Sequence, residues 1–265
     1  MIPERLFQLL RSCEDTKHFP PTEVFNEGWM LRLLLEALGS PAISAQLPDH
    51  PLCFLADATW YSEAKLSSVF HPRHKRDPLG EGHTNVDGVI GHFGFDSKTK
   101  TGLCLPATAR QFVVVEAKMR SNLDTKTKNG PGYHQAARSV ACMAATLAAV
   151  KPTAPELESV GFFVIAPKRE RRRTKSNLET CLKPDSIRSA VSARIARYEL
   201  ASRPEAEEFR TWERGVFLPL LEHLDRSKRL RVLSWDECID PLMQADETVW
   251  KELHDFYTHC LDLAS

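Results

Sequence analysis

The sequence predicts an α/β protein: a small mixed central sheet flanked by helices, in a single domain spanning residues 1–265. Three observations carry this. The runs "FVVVEA" (112–117) and "SVGFFVIA" (159–166) are apolar on both faces, as strands covered on both sides are. Between them, "YHQAARSVACMAATLAAV" (133–150) is an Ala- and Ser-rich segment suited to a helix packed closely on a sheet. Residues 111–166 therefore read as strand–helix–strand, which implies two parallel strands joined by a right-handed crossover. Finally, 42% hydrophobic and 26% charged residues are ordinary for a globular protein and argue against a disordered chain.

The remaining elements follow in order. "ERLFQLLRSCE" (4–14) has the pattern of a short amphipathic helix. A stronger helix follows in "PPTEVFNEGWMLRLLLEALGS", with Pro20 and Pro21 ahead of it, Thr22 as its cap and Gly39 at its end. Val24, Glu27, Leu31, Leu34 and Leu38 line one stripe of it. The spacing of Trp60, Ala64, Ser67 and Ser68 predicts a third helix over 59–70. "HPRHKRDPLGEGHT" (71–84) is loop by its Pro, Gly and charge. Strands are expected at 85–95 and around 101–118, with "DSKTKTG" as the turn between them, and 125–132 is again loop. The rest is helical apart from one further strand, "RLRVLSW" (229–235). This gives a core of about 23–166 and C-terminal helical additions with one strand over about 167–265.

Composition also excludes classes. No run reaches the ~18–20 apolar residues that cross a bilayer, and the N-terminus lacks a signal-peptide pattern, so the expected location is the cytoplasm. Seven scattered cysteines without a CxxC pair argue against a disulfide framework, structural zinc or an iron–sulfur cluster. The zero net charge hides an asymmetry: residues 204–265 hold 7 Lys/Arg against 14 Asp/Glu, leaving the first 203 residues net basic. That arrangement suits an anionic partner held on one side, and equally two solvated surfaces of opposite sign.

The triplet Glu-Ala-Lys occurs twice, at 63–65 and 116–118. In the first copy no β-branched run precedes it, and on a helix Glu63 and Lys65 diverge, which reads as surface charge remote from any site. In the second, strand alternation puts Phe112, Val114, Glu116 and Lys118 on one face, so an acid and an amine emerge side by side where the strand leaves the core. Asp87 lies on the strand just upstream and approaches Glu116 if the two strands pair. Two carboxylates that close resist ionising unless a cation sits between them, and Mg²⁺ takes such oxygen ligands. Glu27, on an apolar helix stripe, needs a partner of its own.

These residues, in this order, resemble the PD-(D/E)XK nuclease superfamily. The pattern is an acid on a first helix (Glu27), an acid on a strand (Asp87), then Glu116-Ala117-Lys118 on the next strand, a crossover helix carrying Gln135, and another strand. The resemblance covers about residues 23–166. It implies a restriction-endonuclease-like core in which Asp87, Glu116 and the carbonyl of Ala117 hold Mg²⁺, with Mn²⁺ as its substitute. It also implies that Lys118 positions or deprotonates the attacking water, that Glu27 supports the metal, and that Gln135 matches the helical glutamine of exonuclease-like members. Val86 stands where the pattern has proline, and Ser139 where the glutamine-bearing form has tyrosine, so no subgroup is assigned.

Two basic stretches suit phosphate contact: "KRERRRTK", with Lys168, Arg169, Arg171, Arg172, Arg173 and Lys175, and "HPRHKR" (71–76). His83 and His92 flank Asp87 and read as solvent-facing or structural. The leading expectation is a Mg²⁺-dependent nuclease acting on nucleic acid, DNA foremost. The alternatives are a non-catalytic nucleic-acid-binding or assembly subunit on the same fold, and a metal-dependent enzyme on a small phosphorylated substrate, though no Gly-rich phosphate loop is evident. Both a homo-oligomer and an assembly with a partner subunit are compatible with the sequence.

Overall fold

The computed structural model describes residues 20–96, 99, 102–120, 123, 126–127, 130–150, 154–171 and 177–264; the helix expected at 4–14 lies outside them. Five strands form the central sheet: β1 (Thr59–Leu66), β2 (Thr84–Gly91), β3 (Gln111–Ala117), β4 (Ser159–Ala166) and β5 (Leu230–Ser234). They lie side by side in chain order; β2 runs antiparallel to both β1 and β3, and β3, β4 and β5 are parallel.

Two helical layers cover this sheet. On one face lie α1 (Glu27–Gly39), α6 (Trp235–Ile239) and α7 (Glu247–Leu263), around a core of Leu31, Leu35, Ile90, Val113, Val115 and Trp235. On the other lie α2 (Gln135–Ala148), α3 (Pro184–Leu200), α4 (Ala206–Trp212) and α5 (Leu218–Arg226), with α4 running into α5 through a π turn at Glu213–Phe217. The alternation expected for β3 is present: Phe112 and Val114 pack on the α2 side, Val113, Val115 and Ala117 on the α1 side. All seven residues of β3 and all eight of β4 are buried, which explains why their sequences show no polar alternation.

The structure corrects several expectations. Residues 59–66 are a strand, not part of a helix. The residues pair along β2 from Thr59 opposite Gly91 to Leu66 opposite Thr84. This ladder, with the buried pair Ala64 and Leu66 at a period of two, overrides a helical spacing that four residues produced by coincidence. Asn26, rather than Thr22, caps α1: its Oδ1 accepts the N–H of Trp29 at 3.0 Å. Pro21–Glu23 instead make a 3₁₀ turn, and Val24 precedes the helix. Gly39 ends α1 as expected. The strand expected to reach residue 95 stops at Gly91, and Gly94–Phe95 pairs separately with Leu103–Cys104. Lys126–Thr127 and Gly130–Pro131 pair as a small ladder within the expected loop at 125–132. The six described cysteines are free thiols, four of them buried. Among the described residues no helix is long and apolar enough to cross a membrane.

Gly91 marks the end of β2 for a steric reason. Its φ is +147°, and a Cβ there would sit 2.0 Å from the carbonyl oxygen of Gln111 on β3. Gly91→Ala should therefore destabilise the fold by about 2 kcal/mol or more, read as a lower denaturation midpoint in guanidinium. An unchanged midpoint would contradict this close approach of the two strands.

Candidate active site

The strand ladders open at one row of residues. Between β1 and β2 the paired residues are Ser62 with Gly88 and Ala64 with Val86; Glu63 and Asp87, which face each other in that register, are skipped. Between β2 and β3 the ladder ends at Gly88 opposite Val115, so Asp87 and Glu116 would form the next pair. Glu63, Asp87 and Glu116 thus stand in one row across three adjacent strands. Instead of a main-chain partner, the N–H of Ala117 finds the side chain of Asp87, whose Oδ2 accepts it at 2.7 Å.

Both β1 and β2 also change face at this row. Trp60 packs on the α1 side and Ala64 on the α2 side, although four residues of regular strand would leave them on one face. The change falls at Glu63, whose φ of +59° is left-handed. On β2, Val86 and Val89 both pack on the α2 side, with Asp87 and Gly88 between them. A Cβ on Gly88 would come within 3.1 Å of Leu31 and Leu35, so its bareness lets α1 seat against the sheet.

Glu116 is completely buried on the α2 side. Gln135 donates from Nε2 to its Oε2 at 2.6 Å, and Ser139 donates from Oγ to its Oε1 at 2.9 Å. These two donors are four residues apart, one turn of α2, which places them on one helix face. Lys118 follows: its Nζ stands 3.8 Å from Glu116 Oε2 and 3.8 Å from Asp87 Oδ2. Its backbone is fixed at both ends, the N–H donating to Ile165 at 2.8 Å and the carbonyl accepting from Trp235 Nε1 at 3.0 Å. Burial, and next the charge of Asp87, push the Glu116 carboxyl up to about 8, against the opposing pull of Lys118 and Ser139.

Compared with known proteins, the chain matches no family model, no curated protein and no solved structure.

The structure brings together Asp87, Glu116, Lys118 and Gln135, four residues singled out in the sequence. It adds Ser139, which the sequence marked only as a departure from a tyrosine; its position one helical turn past Gln135 was the signal. No hydrogen bond or ion pair among the described residues joins Glu27 to the cluster. It begins α1 and lines a cleft of about 320 Å³ with Asn26, Arg120, Cys260 and Met119, the residue that follows Lys118. Its charge is one of the causes, after burial, that push the Cys260 thiol up to about 12.

Glu63 overturns an expectation. Its triplet is neither helical nor remote: partial burial and then the charge of Asp87 raise its carboxyl, while Arg32 at 3.8 Å opposes them. Of the basic residues at 168–175, Lys168 and Arg169 are exposed in a short helical turn, Lys168 pairing with Asp236 at 3.9 Å. Arg171 ends that turn; Arg172, Arg173 and Lys175 lie outside the described residues. Residues 71–76 are exposed above a buried Asp77 that is paired with Arg203 at 3.0 Å. His92 is structural, bonded to the carbonyl of Ala56 and accepting the N–H groups of Arg110 and Gln111.

The donor set fits a hard divalent cation. Glu116 and Asp87 bring carboxyl oxygens to close range, and burial opposes charge on Glu116, a mismatch that a cation between them would relieve. Among the described residues no three His, Cys, Asp or Glu side chains converge on one point. An ion here would therefore take its remaining ligands from backbone carbonyls such as that of Ala117, from water or from substrate phosphate, as Mg²⁺ commonly does.

The raised Glu116 pKa has a signed consequence. Protonated Glu116 favours the folded state, so this contribution is complete below the ordinary value of 4.5 and is lost as pH rises through about 8. In chelator, the free energy of unfolding should fall by on the order of a few kcal/mol from about pH 5 to about pH 9. Glu116→Gln should flatten that fall, and divalent ion should counter it. A wild-type profile without the fall would remove the burial-driven reading of Glu116.

Proposed function

We propose that this protein is a metal-dependent phosphodiesterase that cleaves nucleic acid, DNA foremost, with water attacking a metal-bound phosphate. The observation that carries the reading is the convergence of Lys118 Nζ on both Asp87 and Glu116 at 3.8 Å. A binding module has no use for clustered acids that repel phosphate. The order of elements supports the same reading: α1, the antiparallel β1–β2–β3, the crossover α2 and parallel β4 follow the order of a restriction-endonuclease-like core. The strand β1, expected as a helix, completes that antiparallel trio.

Asp87, Glu116 and the carbonyl of Ala117 would hold Mg²⁺ or Mn²⁺. Such an ion supplies Lewis acidity toward the phosphate and a lowered pKa for bound water. The chain's own groups do the rest. Gln135 and Ser139 hold both oxygens of Glu116, so the carboxylate is oriented before anything binds. Glu116 would have to give up its proton for a cation to bind there, so binding would tighten at higher pH. Lys118, confined by its bonds to β4 and Trp235, places a cation where negative charge develops on the phosphate and orients the attacking water. Glu27 belongs to this machinery only through substrate or solvent, and Lys168 and Arg169 offer phosphate contact outside it.

The test separates metal binding from water activation. Linear and circular DNA incubated with the protein should be cut with Mg²⁺ or Mn²⁺ and remain whole in chelator. Asp87→Ala and Glu116→Ala should lose both metal affinity, read by calorimetry, and cleavage. Lys118→Ala should keep or tighten metal binding and still lose cleavage by about a hundredfold or more. Lys65→Ala should cut like wild type. Normal cleavage by Lys118→Ala, or no divalent binding by the wild type, would sink the reading and favour a non-catalytic nucleic-acid-binding subunit.

A further inference from the structure

The outer face of α1 carries an arrangement that the proposed chemistry does not use. Trp29 is 39% exposed, and so is Leu33 beside it, on a helix whose opposite face is buried against the sheet. The guanidinium of Arg32 lies over the Trp29 ring, 5.0 Å from its centroid. Arg32 is not a loose surface cation. Its Nε donates to Ser62 Oγ at 2.9 Å, and its Nη2 stands 3.8 Å from Glu63 Oε1. Its Nη1 lies against the first turn of the helix, 3.5 Å from where a Cβ on Gly28 would stand. The aromatic ring and the cation are thus held as one unit and tied to β1 at Ser62 and Glu63, in the same row as Asp87 and Glu116.

We infer that Trp29 and Arg32 form a stacking platform for an unpaired base and its phosphate, which makes single-stranded nucleic acid the substrate class of the neighbouring site. Three physical points lead there. Arg32 covers one face of the indole, and the ring's remaining exposed area, flanked by an exposed leucine, is apolar surface at a cost in water that the π-face of any base can cover. An arginine pinned through one edge keeps its remaining donors for a phosphate, and it loses little freedom on binding because the Trp29 ring, Ser62 and Glu63 already position it. In a duplex the base faces are stacked on one another, so only a single strand or a frayed end can present a base to Trp29. The acids nearby, Glu63 and Glu36, are each engaged, Glu63 with Arg32 and Glu36 with Trp60 Nε1 at 3.2 Å. The inference rests on the nucleic-acid reading above, and binding measured without metal separates the two.

The experiment uses the full chain in chelator, a fluorescently labelled oligothymidylate strand, and a duplex closed by hairpins at both ends. Anisotropy gives affinity, and quenching of tryptophan emission reports stacking. Wild type should prefer the strand. Trp29→Ala should weaken strand binding by about tenfold and remove the largest part of the quenching, with Trp29→Phe within about threefold of wild type. Arg32→Ala should lower affinity and reduce the salt slope by about 0.7, the share of one single-strand phosphate. Unchanged melting temperatures guard against misfolding. The platform is overturned if Trp29→Ala binds the strand as wild type does, or if wild type binds no strand. It is equally overturned if Trp29 supports binding to the closed duplex or to phosphatidylserine vesicles as strongly as to the strand. A strand bound through Trp29 yet left whole with Mg²⁺ keeps the platform and removes the nuclease. Cleavage untouched by Trp29→Ala, with strand affinity also untouched, does the reverse.

Discussion

The bond from the Ala117 amide to the Asp87 carboxylate is the constraint on which the site depends. A central sheet with both faces covered must pair its main-chain groups, and a side chain that takes one of those places stops the ladder there. Because Asp87 does so one residue beyond the last β2–β3 pair, the strands part with their hydrogen bonding still satisfied. The gap falls where Glu116 and Lys118 emerge. A carboxylate committed to a peptide N–H is also fixed in direction, which a flexible surface acid is not.

The second constraint is the burial of Glu116. An acid with no exposed surface resists charge, and its two oxygens are already engaged by Gln135 and Ser139 from a single turn of α2. The site is therefore preorganised at an electrostatic cost, which Lys118 offsets only in part. Burial of this kind, beside a like charge, is characteristic of a group whose ionisation is coupled to what binds.

Around this centre the fold provides two different walls. The α2 face is anchored by Arg194, sandwiched among Phe70, Tyr133 and Tyr198, and the Leu79 carbonyl accepts from both Arg194 and Tyr198, pinning the loop that leads into β2. The α1 face is closed by Leu31 and Leu35 over the bare Gly88. The first wall fixes where β2 begins and hence where Asp87 falls. The second carries Arg32 and Trp29 to the edge of the acid row.

The sequence by itself determined the buried middle of this protein. In β3, α2 and β4 every level agrees: β-branched runs too apolar for a solvent face, an Ala-rich helix between them, and a strand end that turns polar at Glu116. Alternation alone put Glu116 and Lys118 together, and pairing logic brought Asp87 to them. What only the tertiary structure decided lies at the edges. Thr59–Leu66 is a strand because β2 offers it partners, a long-range fact that a local spacing of Trp60 and Ala64 cannot encode. Glu63 joined the row because β1 changes face there through a left-handed residue, which no sequence period anticipates. The start of α1 was likewise decided in three dimensions: the Asn26 side chain, not that of Thr22, meets the first free N–H of the helix at Trp29.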